Sequence, residues 1–280
     1  MTTRTDLAVE SFSDSFSENI HINKREGVFS ITEIIIDDDS YINTIGKGKG
    51  RYVTLEHKHM ADFSEDYENM IIEIAREIKN FVPEGDILVV GLGNRDITPD
   101  ALGAMTSAKI LATRHLEKEM KNDTDNFLES LRRVSTFAGG VLGQTGIETA
   151  EIIQAICSEI KPSGIIAVDA LACADISRLG TTIQIADSGI SPGSGVANAR
   201  KELSEKVMGI PVIAIGVPTV IDTHTIIRNL TDSEPEGIPN MMVTSREIDR
   251  LIERTAQLIA YGINLALQPS LTVEDICGLF

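Results

Sequence analysis

Short apolar runs that alternate with helical patterns restrict the folds open to this chain of 280 residues. Such runs, rich in β-branched residues and bounded by Gly, Pro and Asp, are typical of parallel strands buried on both faces. The sequence predicts strands near 86–91, 133–137, 164–168, 181–185 and 211–216. It predicts helices near 99–113, 146–159, 219–229 and 246–267. This alternation predicts an α/β fold with a mostly parallel central sheet and helices on both faces.

The N-terminal part of the chain predicts a β-rich extension over residues 28–60. Two β-rich stretches, at 28–36 and 51–56, flank a glycine-rich turn at 46–50, and this arrangement predicts a hairpin. Residues 11–25 are polar. We expect them to form an exposed or mobile connection, with ordered structure beginning just after them.

The chain is long enough for one large domain, and no linker-like stretch divides it. We therefore expect a single domain over residues 1–280. Its α/β core is expected at 86–223 and its C-terminal helix at 246–267. A further amphipathic helix is predicted over 65–81, where apolar residues recur at helical spacing ahead of Pro83.

Charge and cysteine content argue against several functions. The chain has 42 acidic and 25 basic residues, and the net charge of −17 argues against direct binding to nucleic acid or to an anionic membrane surface. Three cysteines without C-x-x-C spacing indicate reduced thiols. No window approaches the roughly 20 apolar residues of a membrane span, and the N-terminus has no apolar signal segment. We therefore expect a cytoplasmic protein.

Two aspartates, Asp100 and Asp169, each follow a predicted buried strand. Ligands of open α/β sheets bind beyond the carboxyl ends of the strands, so the two acids are expected at one pocket. Carboxylates held close together cannot both ionise at neutral pH, and the protonated and ionised members can act as acid and base. This pairing predicts amide hydrolysis.

Each aspartate also has a purely structural interpretation. Thr98 can cap a helix that begins with Pro99, so that Asp100 complements the dipole of the first turn. Asp169 can cap the turn after its strand. The matched placement of the two acids favours the functional interpretation.

Gly91, Gly93 and Asn94 form a glycine-rich turn after the first core strand. A dinucleotide-binding fingerprint would need a third glycine or alanine where Asp96 stands. We instead expect the glycines to let the backbone turn sharply and leave the pocket open to a substrate chain.

Ser191 lies in a G-x-S-x-G pattern, but the following residue is Pro192. A nucleophile elbow uses the backbone N–H of that residue in its oxyanion hole, and proline has none. The loop that holds Ser191 and Gly193 is therefore expected to line or cover a bound peptide.

The five histidines form no recognisable ligand motif. No metal and no cofactor are expected. A metal site that combines Asp100, Asp169 and a distant histidine remains an alternative, because ligands can converge from separate loops.

Several segments of the chain, in the same order, resemble the germination protease family of endospore-forming bacteria. These segments are 4–10, 50–56, 90–94, 98–103, 143–149, 168–172, 181–185, 191–196, 209–219 and 242–247. They cover most of the chain. The family consists of endopeptidases that degrade small acid-soluble spore proteins.

This resemblance implies a fold similar to hydrogenase maturation proteases and an atypical aspartic peptidase whose two catalytic aspartates are Asp100 and Asp169. It implies a zymogen that removes its own prosegment, residues 1–6, by cutting between Asp6 and Leu7. It also implies spore proteins as substrates and a location in the spore core or forespore. We expect a homo-oligomer.

The chain departs from the family pattern at Arg95, where the family often has Trp, and at Ser191, where it often has His. A segment before the C-terminal helix is shortened to residues 226–240. Two alternatives to the aspartic mechanism stay open: a metal-dependent maturation-type endopeptidase that uses the same acids, and a non-catalytic binding module in which both aspartates only cap helices.

Overall fold

A computed structural model describes residues 5–12, 19–42, 46–62, 65–116, 127–191, 201–231 and 235–280. The strands are β1 (Ile20–Glu26), β2 (Ser30–Ile36), β3 (Gly50–Glu56), β4 (Ile87–Gly91), β5 (Val134–Phe137), β6 (Gly164–Ala172), β7 (Thr182–Ala186), β8 (Val212–Asp222) and β9 (Met242–Val243). The α-helices are α1 (Tyr67–Lys79), α2 (Leu102–Ser107), α3 (Phe127–Ser130), α4 (Leu142–Thr145), α5 (Thr149–Ile160), α6 (Glu205–Met208), α7 (Thr223–Thr231), α8 (Ile248–Leu267) and α9 (Val273–Cys277).

The strands of the described residues form one sheet in the order β1-β2-β3-β7-β8-β6-β4-β5, with β9 paired to β8. Strands β5, β4, β6 and β8 are parallel neighbours. The remaining pairings are antiparallel. The α/β fold is therefore confirmed, and its parallel core is these four strands, whereas the sheet as a whole is mixed.

Helices cover both faces of the parallel core. One face presents Ile87, Val89, Ile166 and Val168, which pack in the same cluster as α1, α2 and α8. The alternate residues of the same strands face the opposite way and pack with α5, as the two-residue period of a strand requires. No helix of the described residues is long and apolar enough to cross a membrane.

The β-rich extension is confirmed as an antiparallel pair of β2 and β3, and β3 continues the sheet by pairing with β7. The expectation that ordered structure begins after residue 25 was wrong, because β1 precedes it as an edge strand. Ile20 of β1 is buried. Arg25 donates two hydrogen bonds, of 3.0 and 2.9 Å, to the buried carboxylate of Glu77 in α1. These tertiary contacts hold a strand whose composition is largely polar.

The predicted helix over 99–113 is much shorter in the structure. A 3-10 turn at Thr98–Asp100 leads into α2. After α2 the backbone takes tertiary partners: the N–H of Leu111 donates to Asn264 Oδ1 at 2.9 Å, and the N–H of Thr113 donates to Val134 O at 3.0 Å.

The predicted helix over 219–229 begins later, because β8 continues to Asp222. Val220 pairs with Ala172 of β6, and Asp222 pairs with Met242 of β9. The Asp222 carboxylate then accepts the backbone N–H of Thr225 at 2.9 Å and starts α7. Pairing on both sides thus extends the strand beyond the apolar run that predicted it.

Candidate active site

The loop after β4 passes over β6 near Val168 and reaches β8. Gly91, the last residue of β4, pairs with Val168 of β6, and Leu92 donates its N–H to Val168 O at 2.8 Å. Further along the loop, the hydroxyl of Thr219 in β8 donates to Pro99 O at 2.7 Å. The loop is therefore hydrogen-bonded to both β6 and β8.

Asp100 lies at the C-terminal end of this loop and contacts the turn at Gly93. The backbone N–H of Asn94 donates to Asp100 Oδ2 at 2.7 Å. Gly93 has φ +89°, and a Cβ built on it would lie 2.1 Å from the carbonyl oxygen of Asp100. The predicted sharp turn at Gly93 is thus present, and its physical role is to let the loop fold back onto the aspartate.

Gly91 allows the backbone of α2 to approach the backbone of β4 closely. A Cβ at Gly91 would lie 2.2 Å from Gly103 O, and one at Gly103 would lie 2.2 Å from Val168 O. Helix α2 therefore rests almost directly on β4 and β6. The role of Gly91, Gly93 and Asn94 in lining a substrate pocket stays a prediction.

Asp169 lies within β6, where it pairs with Gly216 of β8. The expectation that it stands past the end of its own strand was wrong, because pairing with β8 extends β6 to residue 172. In the register of the sheet, Asp169 nevertheless lies one position beyond the end of β4, because the last residue of β4, Gly91, pairs with Val168. Its side chain is buried, and Asp169 Oδ1 accepts the N–H of Ala170 at 2.9 Å.

The structure therefore brings both aspartates to the carboxyl edge of three adjacent parallel strands, β4, β6 and β8. The 3-10 turn that ends at Asp100 contacts both β6 and β8. One acid is half-buried on a loop and the other is buried in a strand. Two carboxyl groups in such different surroundings are suited to opposite roles as acid and base.

Ser191 is half-buried and follows a closed loop base. Ile190 and Leu203 exchange two backbone hydrogen bonds of 2.8 Å. Ile190 also packs against the apolar cluster of Leu7 and Leu171, near the end of β6. Gly193 lies outside the described residues, and the roles of Ser191 and Gly193 toward a bound peptide stay predictions.

Asp6 and Leu7 are attached to the end of β6. The N–H of Asp6 donates to Ala172 O at 3.0 Å, and Asp6 Oδ2 accepts the N–H of Ala172 at 2.8 Å. Leu7 is 0% exposed and packs with Leu171 and Ile221. The bond between Asp6 and Leu7 therefore lies three residues along β6 from Asp169.

The carbonyl oxygen of Asp6 accepts two side-chain hydrogen bonds. Lys47 Nζ donates to it at 2.7 Å and Gln184 Nε2 at 3.1 Å. Burial lowers the pKa of Lys47, against the attraction of the Asp6 and Glu10 carboxylates. Gln184 also accepts the N–H of Ala8 at 2.6 Å.

These partners of the N-terminal segment were not identified from the sequence. Gln184 carried a signal, since it is a polar residue in the middle of a β-branched strand pattern, and buried polar residues require partners. Lys47 carried none, because its contact joins residues far apart in the chain, and the same holds for Thr219, which holds the loop before Asp100.

Among the described residues, no three His, Cys, Asp or Glu side chains are grouped so that they could hold a metal ion. The three cysteines are free thiols, as predicted. Burial raises the pKa of the Cys173 thiol to about 12, so this group is protonated at neutral pH and is a poor nucleophile.

An open depression of about 620 Å³ is lined by residues of α1 and by Gly27, Val28 and His57. Neither aspartate lines it. It is polar and shallow, and its position gives no reason to connect it with the acids.

A family model described as germination protease matches residues 3–233. The germination protease of Clostridium tetani is 38% identical, over 99% of this chain and 98% of the relative. That of Caldanaerobacter subterraneus is 37% identical, over 98% and 96%. That of Bacillus velezensis is 42% identical, over 83% and 62%. These matches define the chain as a peptidase. It belongs to the germination protease family.

Among solved structures, the chain is similar to a [NiFe] hydrogenase maturation protease, HycI from Thermococcus kodakarensis. The identity is 20% and the TM-score is 0.36, over 67% of this chain and 98% of the other. A similarity this low supports no statement about chemistry.

Proposed function

We propose that this chain is an endopeptidase that hydrolyses small acid-soluble spore proteins during spore germination, in the spore core. The family membership supports the reaction type. The observation that carries the assignment of residues is the position of Asp100 and Asp169 at one edge of the parallel core, where the loop of one crosses the strand of the other.

In the proposed mechanism the two aspartates share one proton. The ionised carboxylate takes a proton from a water molecule, whose oxygen attacks the scissile carbonyl carbon. The protonated carboxyl polarises the carbonyl oxygen and then supplies the proton that the leaving amine needs. Asn94 acts as a positioning residue, because its N–H fixes one oxygen of Asp100.

We further propose that the chain is made as a zymogen and is processed between Asp6 and Leu7. The segment around this bond is already attached along the end of β6, close to the strand position of Asp169. Recognition of substrates by extended backbone would use the same kind of contact.

The test is to incubate protein that lacks residues 1–6 with a purified small acid-soluble spore protein, with and without chelator, and to follow peptides by mass spectrometry. We expect cleavage that chelator does not affect. Cleavage lost with chelator would support a metal-dependent endopeptidase instead. Absence of cleavage in both conditions, by protein that is folded, would contradict the proposal and support a binding module.

A further inference from the structure

One hydroxyl links the nitrogen of Leu7 to the carboxylate of Glu10. The N–H of Leu7 donates to Thr5 Oγ1 at 3.0 Å, and the same hydroxyl donates to Glu10 Oε2. Thr5 belongs to the segment that the proposed processing would remove. Its departure would leave the Leu7 nitrogen and the Glu10 carboxylate without the group that lies between them.

Leu7 itself is held by contacts that do not involve residues 5 and 6. Its side chain is buried against Leu171 and Ile221. The next residue, Ala8, donates its N–H to Gln184 at 2.6 Å and begins a 3-10 turn, Ala8–Glu10. A chain that begins at Leu7 would therefore keep its first nitrogen close to Glu10.

We propose that Glu10 is the counter-ion for the α-ammonium group that hydrolysis of the Asp6–Leu7 bond creates. This inference rests on the processing proposed above. Hydrolysis adds one water molecule: the Asp6 carbonyl carbon gains the hydroxyl, the C–N bond breaks, and the Leu7 nitrogen gains the protons that make it an ammonium group. The new cation then takes the place of the Thr5 hydroxyl at Glu10.

The charges around this site favour such a pair. Among the described residues, the titratable groups around Glu10 are Lys47, Cys173, Asp175 and Arg178, and Asp6 also acts on Lys47. Processing removes Asp6 and leaves Lys47 as a second cation that competes for Glu10. Arg178 Nε is 3.6 Å from Glu10 Oε1 and is therefore a weaker partner.

The same carboxylate controls the turn after β6. Glu10 accepts the N–H of Ala174 at 2.7 Å and that of Asp175 at 2.9 Å. A new ion pair at Glu10 would therefore be made at the end of the strand that carries Asp169. This connects the cleavage of the prosegment to the candidate active site through a small number of contacts.

The experiment uses a chain that begins at Leu7, prepared by removing an N-terminal tag with an unrelated protease, so that it does not depend on self-processing. The pKa of its α-amine is measured as the midpoint of the acylation rate against pH, with the modified terminus quantified by mass spectrometry. We expect a pKa at least about one unit above the usual range of roughly 7.7–8.0. Glu10→Gln should return it to that range, whereas Glu26→Gln, a control in β1, should not.

Lys47→Met should raise the α-amine pKa further, because it removes the competing cation. An ordinary pKa that Glu10→Gln leaves unchanged would overturn the proposal.

If Glu10→Gln does not fold, thermal unfolding of the Leu7 chain decides the question. A raised folded-state pKa requires stability that is present below about pH 7.7 and lost as the pH rises through the folded pKa. The full chain, whose Leu7 nitrogen is an amide, should lack this loss.

Failure of the processing proposal has a different signature. Full-length protein that never cuts at Asp6–Leu7 would contradict self-processing, while the raised pKa of the prepared chain would still support the ion pair. Correct self-processing with an ordinary α-amine pKa would contradict the ion pair alone.

Discussion

Gly93 and Asp100 are packed so closely that no side chain fits at position 93. A Cβ there would lie 2.1 Å from the Asp100 carbonyl oxygen and 3.0 Å from Asp100 Oδ1. Gly93→Ala must therefore move the loop that holds the aspartate, and it also strains a residue with φ +89°. We expect a loss of about 3 kcal/mol of stability from strain and overpacking together, with loss of most proteolytic activity.

Urea unfolding and peptide release from a spore protein measure these two effects. Gly143→Ala is the matched control, because no atom lies within 4 Å of a Cβ built there. If Gly93→Ala keeps full activity, Asp100 does not need this turn for its function.

Asp100→Asn and Asp169→Asn test the proposed chemistry. Each substitution keeps the size of the side chain but removes the group that carries or accepts a proton, so we expect cleavage to fall by at least about 10³-fold, a typical contribution of an acid or base. Circular dichroism and thermal unfolding should show folded protein. Asp86→Asn, at the opposite end of β4, is the control. Near-normal turnover by either active-site variant would rule out the aspartate pair.

Leu7→Ala tests whether the N-terminal segment is part of the core. Leu7 is 0% exposed, and truncation of a buried leucine leaves a cavity, so we expect a loss of about 3 kcal/mol in the free energy of unfolding. Leu279→Ala is the control, since Leu279 is 51% exposed. Denaturant unfolding measures both variants. A loss below about 1 kcal/mol for Leu7→Ala would mean that the segment is not firmly attached.

Lys47 should give the full-length chain a distinct pH dependence. Burial lowers its pKa in the folded state, so between the folded pKa and about 10.4 the unfolded chain binds more protons than the folded one. The stability of the wild type relative to Lys47→Met should therefore rise with pH in this window. Lys49→Met controls for the loss of one positive charge. A flat difference between wild type and Lys47→Met would contradict the burial of the ammonium group.

The sequence predicted the parts of the fold that depend on local apolar patterns. The strand at 86–91 and the helix at 246–267 were predicted well, and the apolar run at 164–168 identified the first part of β6, because buried strands and amphipathic helices leave a direct periodic signal. Asp100 and Asp169 could be selected because each acid follows such a run.

Other features depend on contacts between distant residues. β1 is largely polar and is held by the pairing of Arg25 with Glu77, and β8 is extended by partners on both sides. The attachment of Asp6 to Ala172 joins residues that are 166 positions apart in the chain. No local pattern carries information of this kind.

The hydrogen bonds between Ile190 and Leu203 have a consequence for how the adjoining segment can vary. They join the two residues that flank the segment from 191 to 202. A segment closed in this way can be lengthened, shortened or exchanged between relatives without altering the register of β7 and β8. Exchanging the segment that begins at Ser191 for that of a relative is therefore expected to leave the pairing of β7 with β8 intact, so that any change in substrate preference could be assigned to the exchanged residues.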